Sequence, residues 1–102
     1  MEGTVKLMMT WDILPGREED YFEFHIRRFI PTLEKMGLSI HEAWLTQYGD
    51  YPRLTVEALA PNLIKAQNIL GSNDWIDLGL LLQDMVENFD YKLIPARTRW
   101  QM

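Results

Sequence analysis

Residues 5–13 read VKLMMTWDI, and the alternation in this stretch decides the fold. Its odd-numbered residues are all apolar, whereas most of its even-numbered residues are polar. A period of two predicts a β-strand with one strongly apolar face. Pro15 and Gly16 end the strand, and residues 18–20 (EED) put negative charge where the first turn of a helix has unpaired N–H groups. The chain therefore begins with a strand followed by a helix.

The first helix is predicted to end at Gly37, because glycine is the commonest residue just past a helix C-terminus. Its apolar residues recur at spacings of four and three and should form a stripe that packs inward: Phe22, Ile26, Phe29, Leu33 and Met36. Pro31 lies inside this stripe and should kink the helix or split its last turn, at a cost of about 3 kcal/mol.

Two further strands are predicted at residues 38–48 and 53–60, joined as a hairpin by the turn residues 49–52 (GDYP). Asn62 can then cap a short helix that ends at Gly71. Ser72 or Asn73 can cap a second helix, whose inward residues are expected to be Trp75, Leu78, Leu82, Met85 and Phe89.

Gly79 within this helix costs roughly 1 kcal/mol relative to alanine, which is tolerable if a neighbouring backbone approaches closely there. Residues 91–100 are predicted to form the last strand. Pro95 within it argues that the strand lies at an edge of the sheet, since proline cannot donate a ladder hydrogen bond.

The predicted order of elements is β-α-β-β-α-β. With right-handed crossovers, these elements form an antiparallel sheet of order 4-1-3-2 with both helical regions on one face. We therefore predict one α+β domain of the ferredoxin-like type over residues 1–102.

Composition excludes several classes of protein. The chain has no cysteine, which removes disulfides and thiolate metal sites and suits a reducing cytosol. Its net charge of -5 argues against nucleic-acid binding, and the sequence predicts neither secretion nor insertion into a membrane. A cytoplasmic protein that binds neither nucleic acid nor membrane is expected.

Known catalytic and cofactor motifs are absent from the sequence. There is no G-x-G-x-x-G, no P-loop and no G-x-S-x-G. The two histidines, His25 and His41, have no spacing typical of a metal site, so no metal is predicted.

One set of polar residues can converge on the sheet face opposite the helices, if Trp11, Val56 and Ala58 face the helices and the hairpin keeps its parity. This set comprises Thr10, His41, Glu57, Arg97 and Arg99, among the apolar side chains Met8, Ala43, Leu45, Leu59 and Leu93.

His41 or Glu57 could act there as a general base, while an arginine held an anionic ligand. The structural alternative is an ion pair of Glu57 with an arginine and a hydrogen-bonded His41 at a dimer interface. Trp44 with Tyr48, near the hairpin, is a candidate for stacking on a ligand.

Three segments resemble NIPSNAP-like proteins and the wider dimeric α+β barrel superfamily. They are Leu14-Pro15-Gly16 with the helix that ends in residues 29–37 (FIPTLEKMG), the hairpin residues 48–52 (YGDYP), and the closing residues 97–101 (RTRWQ). The resemblance implies a homodimer whose two sheets face each other around a cavity. In related proteins that cavity binds small hydrophobic or aromatic molecules and occasionally haem, which a helical histidine ligates. Because nothing near His25 resembles a haem-binding signature, no cofactor is predicted.

Three functions remain open at this stage. The first is a homodimer that binds a small, partly apolar or aromatic molecule, between the sheets or under the helices. The ligand residues would be Met8, Thr10, His41, Trp44, Glu57, Arg97 and Arg99. The second is a cofactor-independent monooxygenase or isomerase with His41 or Glu57 as the base. The third is a structural dimer without a ligand.

Overall fold

The computed structural model describes residues 3–48 and 51–95 and confirms the predicted α+β fold. The elements follow one another as β1 (Val5–Ile13), α1 (Glu18–Phe24), a π-helical turn (His25–Phe29), α2 (Ile30–Met36), β2 (Ser39–Tyr48), β3 (Tyr51–Ala60), α3 (Leu63–Leu70), α4 (Asn73–Leu82) and β4 (Val86–Pro95). The strands form one antiparallel sheet of order β2-β3-β1-β4, which is the predicted order read from the other edge.

Strand β1 is central and has the predicted bounds. Its odd-numbered residues are buried against the helices, and Met9, Trp11 and Ile13 are fully enclosed. Val56 and Ala58 of β3 are buried on the same side, as expected. The helices therefore cover one face of the sheet, and we call the opposite side the open face.

The first helical region contains an irregularity that the sequence pattern did not show. The N–H of Ile30 bonds to the carbonyl of His25, five residues back, so one turn holds an extra residue. This turn comes directly before Pro31, which has no N–H for an α-helical bond to Arg27. A new α-helical stretch, α2, thus begins at Ile30 with Pro31 in its first turn, and it is capped by Gly37, whose φ is 106°.

The extra residue rotates the inward stripe. Tyr21, eight residues before Phe29, is fully buried, whereas Phe22 and Ile26 are 37% and 70% exposed. The predicted inward stripe is therefore correct at Phe29 and Leu33 and wrong at Phe22 and Ile26, because a regular 3.6-residue period does not pass through a π-turn.

Both predicted helix caps in the second half are confirmed. The Asn62 side chain accepts a hydrogen bond from the Lys65 N–H at 2.7 Å, and Ser72 Oγ accepts one from the Trp75 N–H at 3.2 Å. Helix α4 ends at Leu82, and β4 begins at Val86 rather than at residue 91.

Phe89 consequently lies on a strand and not on the inward face of a helix, contrary to prediction. A β-bulge inserts one extra residue into β4 opposite Trp11, and Asn88 at this bulge has a φ of 59°. Val86 and Phe89 then both face the helical side at a spacing of three, which mimics helical periodicity. Among the described helices, none is long and apolar enough to cross a membrane.

Candidate functional site

The structure describes only part of the set of ligand residues that the sequence predicts. Met8 pairs with Glu57, and Thr10 pairs with Thr55, which places all four residues on the open face. Arg97 and Arg99 lie outside the described residues. The described members of the set are therefore Met8, Thr10, His41, Trp44 and Glu57.

A second β-bulge, in β2, changes which β2 residues reach the open face. Ile40 pairs with Ala58 and Glu42 pairs with Glu57, so His41 is the extra residue. Beyond the bulge Trp44 pairs with Thr55 and belongs to the open face, where its side chain is 39% exposed.

The same bulge makes part of the predicted apolar set wrong. Ala43 and Leu45 pair with Val56 and Leu54 and point to the helical side. Leu93, also predicted on the open face, pairs with Leu7 and packs against the core, so this prediction is wrong.

His41, Glu42 and Glu57 meet at this bulge. Each contributes one possible ligand atom, and these atoms lie within 4.8 Å of one another. Glu57 is only 8% exposed, and its Oε1 lies 3.4 Å from Lys6 Nζ. Glu57 thus forms an ion pair with Lys6, and the predicted pair with an arginine is untested because Arg97 and Arg99 lie outside the described residues.

The buried carboxylate of Asp12 stabilises the bulge in β4 by hydrogen bonds. Asp12 accepts hydrogen bonds from Arg53 Nε at 2.8 Å, from Arg53 Nη2 at 3.2 Å and from Asn88 Nδ2 at 2.8 Å. The Arg53 hydrogen bond lowers the pKa of Asp12 most; burial opposes it, and the Asn88 hydrogen bond and the Arg53 charge add to the lowering. These bonds hold Asn88 in its left-handed conformation, so Asp12 has a structural role.

A cleft with a largely apolar lining lies between α4 and the first half of β4. Its volume is about 440 Å³, and it is lined by Ile76, Gly79, Leu80, Leu82, Gln83, Val86, Glu87, Asn88 and Phe89. A smaller cavity of about 40 Å³ adjoins it and shares Gly79, Leu82 and Phe89. The condition that would explain Gly79, a closely approaching backbone, is not met among the described residues: a Cβ there would meet no atom within 4 Å.

Aromatic rings connect this cleft to the centre of the core. The Trp11 ring stacks on Phe89 with centroids 5.6 Å apart and contacts Phe29 edge-on at 5.3 Å. On the outer side, Trp75 lies 6.3 Å from Phe89 and 5.8 Å from Tyr91. One continuous aromatic cluster therefore runs from buried Trp11 to the mouth of the cleft.

Sequence reasoning did not find the cleft, because it placed Phe89 on a helix. Asn88 was the available signal: outside glycine, asparagine is among the residues that best tolerate a positive φ, and such a residue between Val86 and Phe89 is typical of a bulge.

A buried polar pair lies beside this aromatic cluster. Tyr21 Oη and His25 Nδ1 are 2.8 Å apart, and the His25 ring stacks on Phe29. Burial raises the pKa of Tyr21 far above its ordinary value, an effect that the Trp11 indole N–H partly opposes. Burial likewise lowers the pKa of His25. Both groups are therefore neutral at pH 7, and the His25 Nδ1 atom is hydrogen-bonded to Tyr21.

The Trp11 indole nitrogen is the exception to good hydrogen bonding in this cluster. It is buried, and its geometry falls short of a hydrogen bond to any residue that the structure describes.

Comparison with known proteins identifies the fold. No protein-family model matches the chain, and no curated protein matches its sequence. Solved structures do match: a NIPSNAP-like domain protein from Burkholderia xenovorans has a TM-score of 0.73 at 11% identity, over 100% of this chain and 92% of that one.

Two further solved structures show the range of the group. A dimeric protein of unknown function with a ferredoxin-like fold, from Bacteroides fragilis, has a TM-score of 0.66 at 16% identity, over 92% of this chain and 97% of that one. A variant of SnoaB, a cofactor-independent oxygenase from Streptomyces nogalater, has a TM-score of 0.68 at 13% identity, over 95% and 96% of the two chains.

The structural neighbours across the full chain are thus NIPSNAP-family and dimeric ferredoxin-like proteins, as the sequence resemblance predicted. At sequence identities of 11–16%, this structural similarity establishes the fold alone.

Proposed function

We propose that this protein is a homodimer that binds a small, partly apolar or aromatic molecule in the cleft between α4 and β4. The observation that carries the proposal is the cleft itself. Its volume of about 440 Å³ lies within the range of roughly 300–1,000 Å³ typical of small-molecule sites. Most of its lining side chains are apolar: Ile76, Leu80, Leu82, Val86 and Phe89.

The lining residues favour a particular ligand chemistry. Phe89 offers a ring face for stacking, and Leu82 and Val86 supply apolar walls. Gln83 offers an oxygen acceptor, whereas Glu87 pairs with Asp12 on the open face and one Asn88 amide N–H is already donated to Asp12. A neutral aromatic molecule with a hydroxyl or amino group fits this lining better than a charged one does.

Gly79 allows a direct test of this site. Leucine at this position would project into the space where the two cavities meet and occupy part of the cleft, and it would not destabilise α4, since glycine is the poorer helix former by about 1 kcal/mol. We expect wild-type protein to bind the neutral fluorophore N-phenyl-1-naphthylamine and Gly79→Leu to lose at least about tenfold in affinity, or 1.4 kcal/mol.

The matched control is Gly71→Leu, which adds the same side chain at the end of α3, outside the cleft. Native mass spectrometry of freshly purified protein should also show a retained small molecule. Equal probe binding by both variants, or no probe binding and no retained molecule in the wild type, would contradict the cleft proposal and favour a structural dimer without a ligand.

The open face supports self-association. Helices leave this side of the sheet uncovered, and Trp44, Met8, Leu59 and Ile94 lie on it among polar residues. The Bacteroides fragilis neighbour is described as dimeric. Two copies that apply these faces to each other would shield the apolar side chains from water.

Light scattering after gel filtration tests the dimer. The wild type should have twice the chain mass of 12.1 kDa, and Trp44→Asp should shift the population toward monomer. Ile64→Asp, at a 71% exposed position on α3, is the control and should leave the mass unchanged. A wild-type species of 12.1 kDa at micromolar concentration would refute the dimer.

A second candidate function is a cofactor-independent monooxygenase or isomerase. It is favoured by the closeness of the His41 imidazole to the Glu57 carboxylate on the open face, where one group could take a proton from a substrate carbon and the other orient it. SnoaB, one structural neighbour, is described as a cofactor-independent oxygenase. This function predicts substrate-dependent oxygen uptake or isomerisation that His41→Ala abolishes and Gly79→Leu does not.

A further inference from the structure

We propose that His41, Glu42 and Glu57 bind a divalent transition-metal ion on the open face of the sheet. The ligand atoms of these residues lie within 4.8 Å of one another. This inference does not rest on the cleft between α4 and β4, which lies on the helical side of the sheet and shares none of these residues.

The β2 bulge creates the site. In a regular strand, neighbouring residues such as His41 and Glu42 point to opposite faces of the sheet. Here both residues stand opposite Glu57, because Ile40 pairs with Ala58 and Glu42 with Glu57. A sequence spacing of 41, 42 and 57 matches no metal motif, which explains why the sequence alone predicts no metal.

The three donors suit a particular class of ion. One imidazole nitrogen and two carboxylate oxygens favour zinc, iron, nickel or copper, since magnesium and calcium prefer oxygen ligands alone. Three protein ligands also leave a fourth position for water or a substrate, as in catalytic zinc sites.

The geometry requires little adjustment. Ligand atoms about 2.0–2.2 Å from a common ion are separated by roughly 3–4 Å. His41 and Glu42 are exposed and can rotate over this short distance, whereas Glu57 is 8% exposed and acts as the fixed ligand.

Electrostatics favours a cation at this point. Two like charges directly opposite each other on neighbouring strands are destabilising, and Glu42 and Glu57 form such a pair. Lys6, 3.4 Å from Glu57, offsets one of the two negative charges. A divalent ion would neutralise both carboxylates and take the place of Lys6 as the partner of Glu57.

The test is calorimetric titration of the full chain with zinc chloride after treatment with EDTA. We expect saturable binding of one ion per chain. The variants His41→Ala and Glu57→Gln should each weaken binding by at least about tenfold, the lower end of what even a supporting residue of a metal site costs. Circular dichroism establishes that both variants are folded.

Two control variants report on unspecific binding. Glu34→Gln removes an exposed carboxylate on α2, and His25→Gln removes the histidine that is hydrogen-bonded to Tyr21. Neither should change the zinc affinity. The proposal is overturned if the wild type shows no saturable binding, if His41→Ala binds as tightly as the wild type, or if Glu34→Gln weakens binding as much as Glu57→Gln.

Lys6→Gln gives a prediction of opposite sign. Removing the ammonium that competes for Glu57 should tighten zinc binding several-fold. An unchanged or weaker affinity would contradict the replacement of Lys6 by the ion. Visible absorption of the cobalt-loaded protein, lost in His41→Ala, would provide direct evidence of ligation by this imidazole.

Discussion

Replacement of Asp12 by alanine should destabilise the protein in a pH-dependent way. The carboxylate accepts two hydrogen bonds from Arg53 and one from Asn88. Hydrogen bonds to a charged group contribute about 1.5–3 kcal/mol each, but they are not additive here. Because Arg53 is partly exposed, solvent screening reduces the contribution of its hydrogen bonds to Asp12. We expect a loss of about 2–4 kcal/mol at pH 7, a large part of the roughly 5–15 kcal/mol that stabilises such a domain.

The pH dependence follows from the lowered pKa of Asp12. A carboxyl group whose pKa is lower in the folded state stabilises the protein above its unfolded pKa, near 3.9, and this contribution disappears as the pH falls through the folded value. The difference between wild type and Asp12→Ala should therefore be full at pH 7 and should shrink steadily below about pH 4.

Urea denaturation at pH 7, 5, 4 and 3 measures this difference. Asp77→Asn, an exposed change on α4, is the control and should shift the free energy of unfolding by less than about 0.5 kcal/mol at every pH. The structural role of this carboxylate at the β4 bulge would be refuted by a loss of unfolding free energy in Asp12→Ala that is the same at pH 3 as at pH 7, or that is below about 1 kcal/mol at pH 7.

Three further predictions concern other single groups. Tyr21→Phe removes the hydrogen bond to His25 inside the core and should lower the melting temperature, at a cost of about 1–2 kcal/mol, measurable by calorimetry. Because burial lowers the pKa of His25, protonation opposes folding; the free energy of unfolding should fall as the pH drops below about 6.5, and in His25→Gln this fall should be smaller. Asn62→Ala should cost about 1 kcal/mol through loss of the α3 cap, whereas Asn68→Ala, at an exposed position in the same helix, should be neutral or stabilising in a denaturant titration.

Local signals in the sequence were sufficient for the fold. The alternation of residues 5–13 placed the central strand, and Asn62 and Ser72 marked two helix starts by side-chain chemistry that acts within three residues. The order of elements and the handedness of crossovers then determined the sheet order.

The candidate sites were harder to predict because three single-residue insertions break the regular periods. The π-turn before Pro31 exposes Phe22 and Ile26. The bulge at His41 reverses the facing of Ala43 and Leu45, and the bulge at Asn88 moves Phe89 into the wall of the cleft. The bulge at Asn88 depends on the contact of Asp12 with Asn88, two residues far apart in sequence, which periodicity along the chain does not record.

Both outer strands of the sheet carry a bulge. An edge strand exposes a row of unpaired backbone groups, onto which another chain can add and begin a fibril. The irregularities in β2 and β4 break that row, and Pro95 at the end of β4 lacks a donor. The same two bulges that shape the cleft and bring His41, Glu42 and Glu57 together therefore also protect the protein against lateral aggregation.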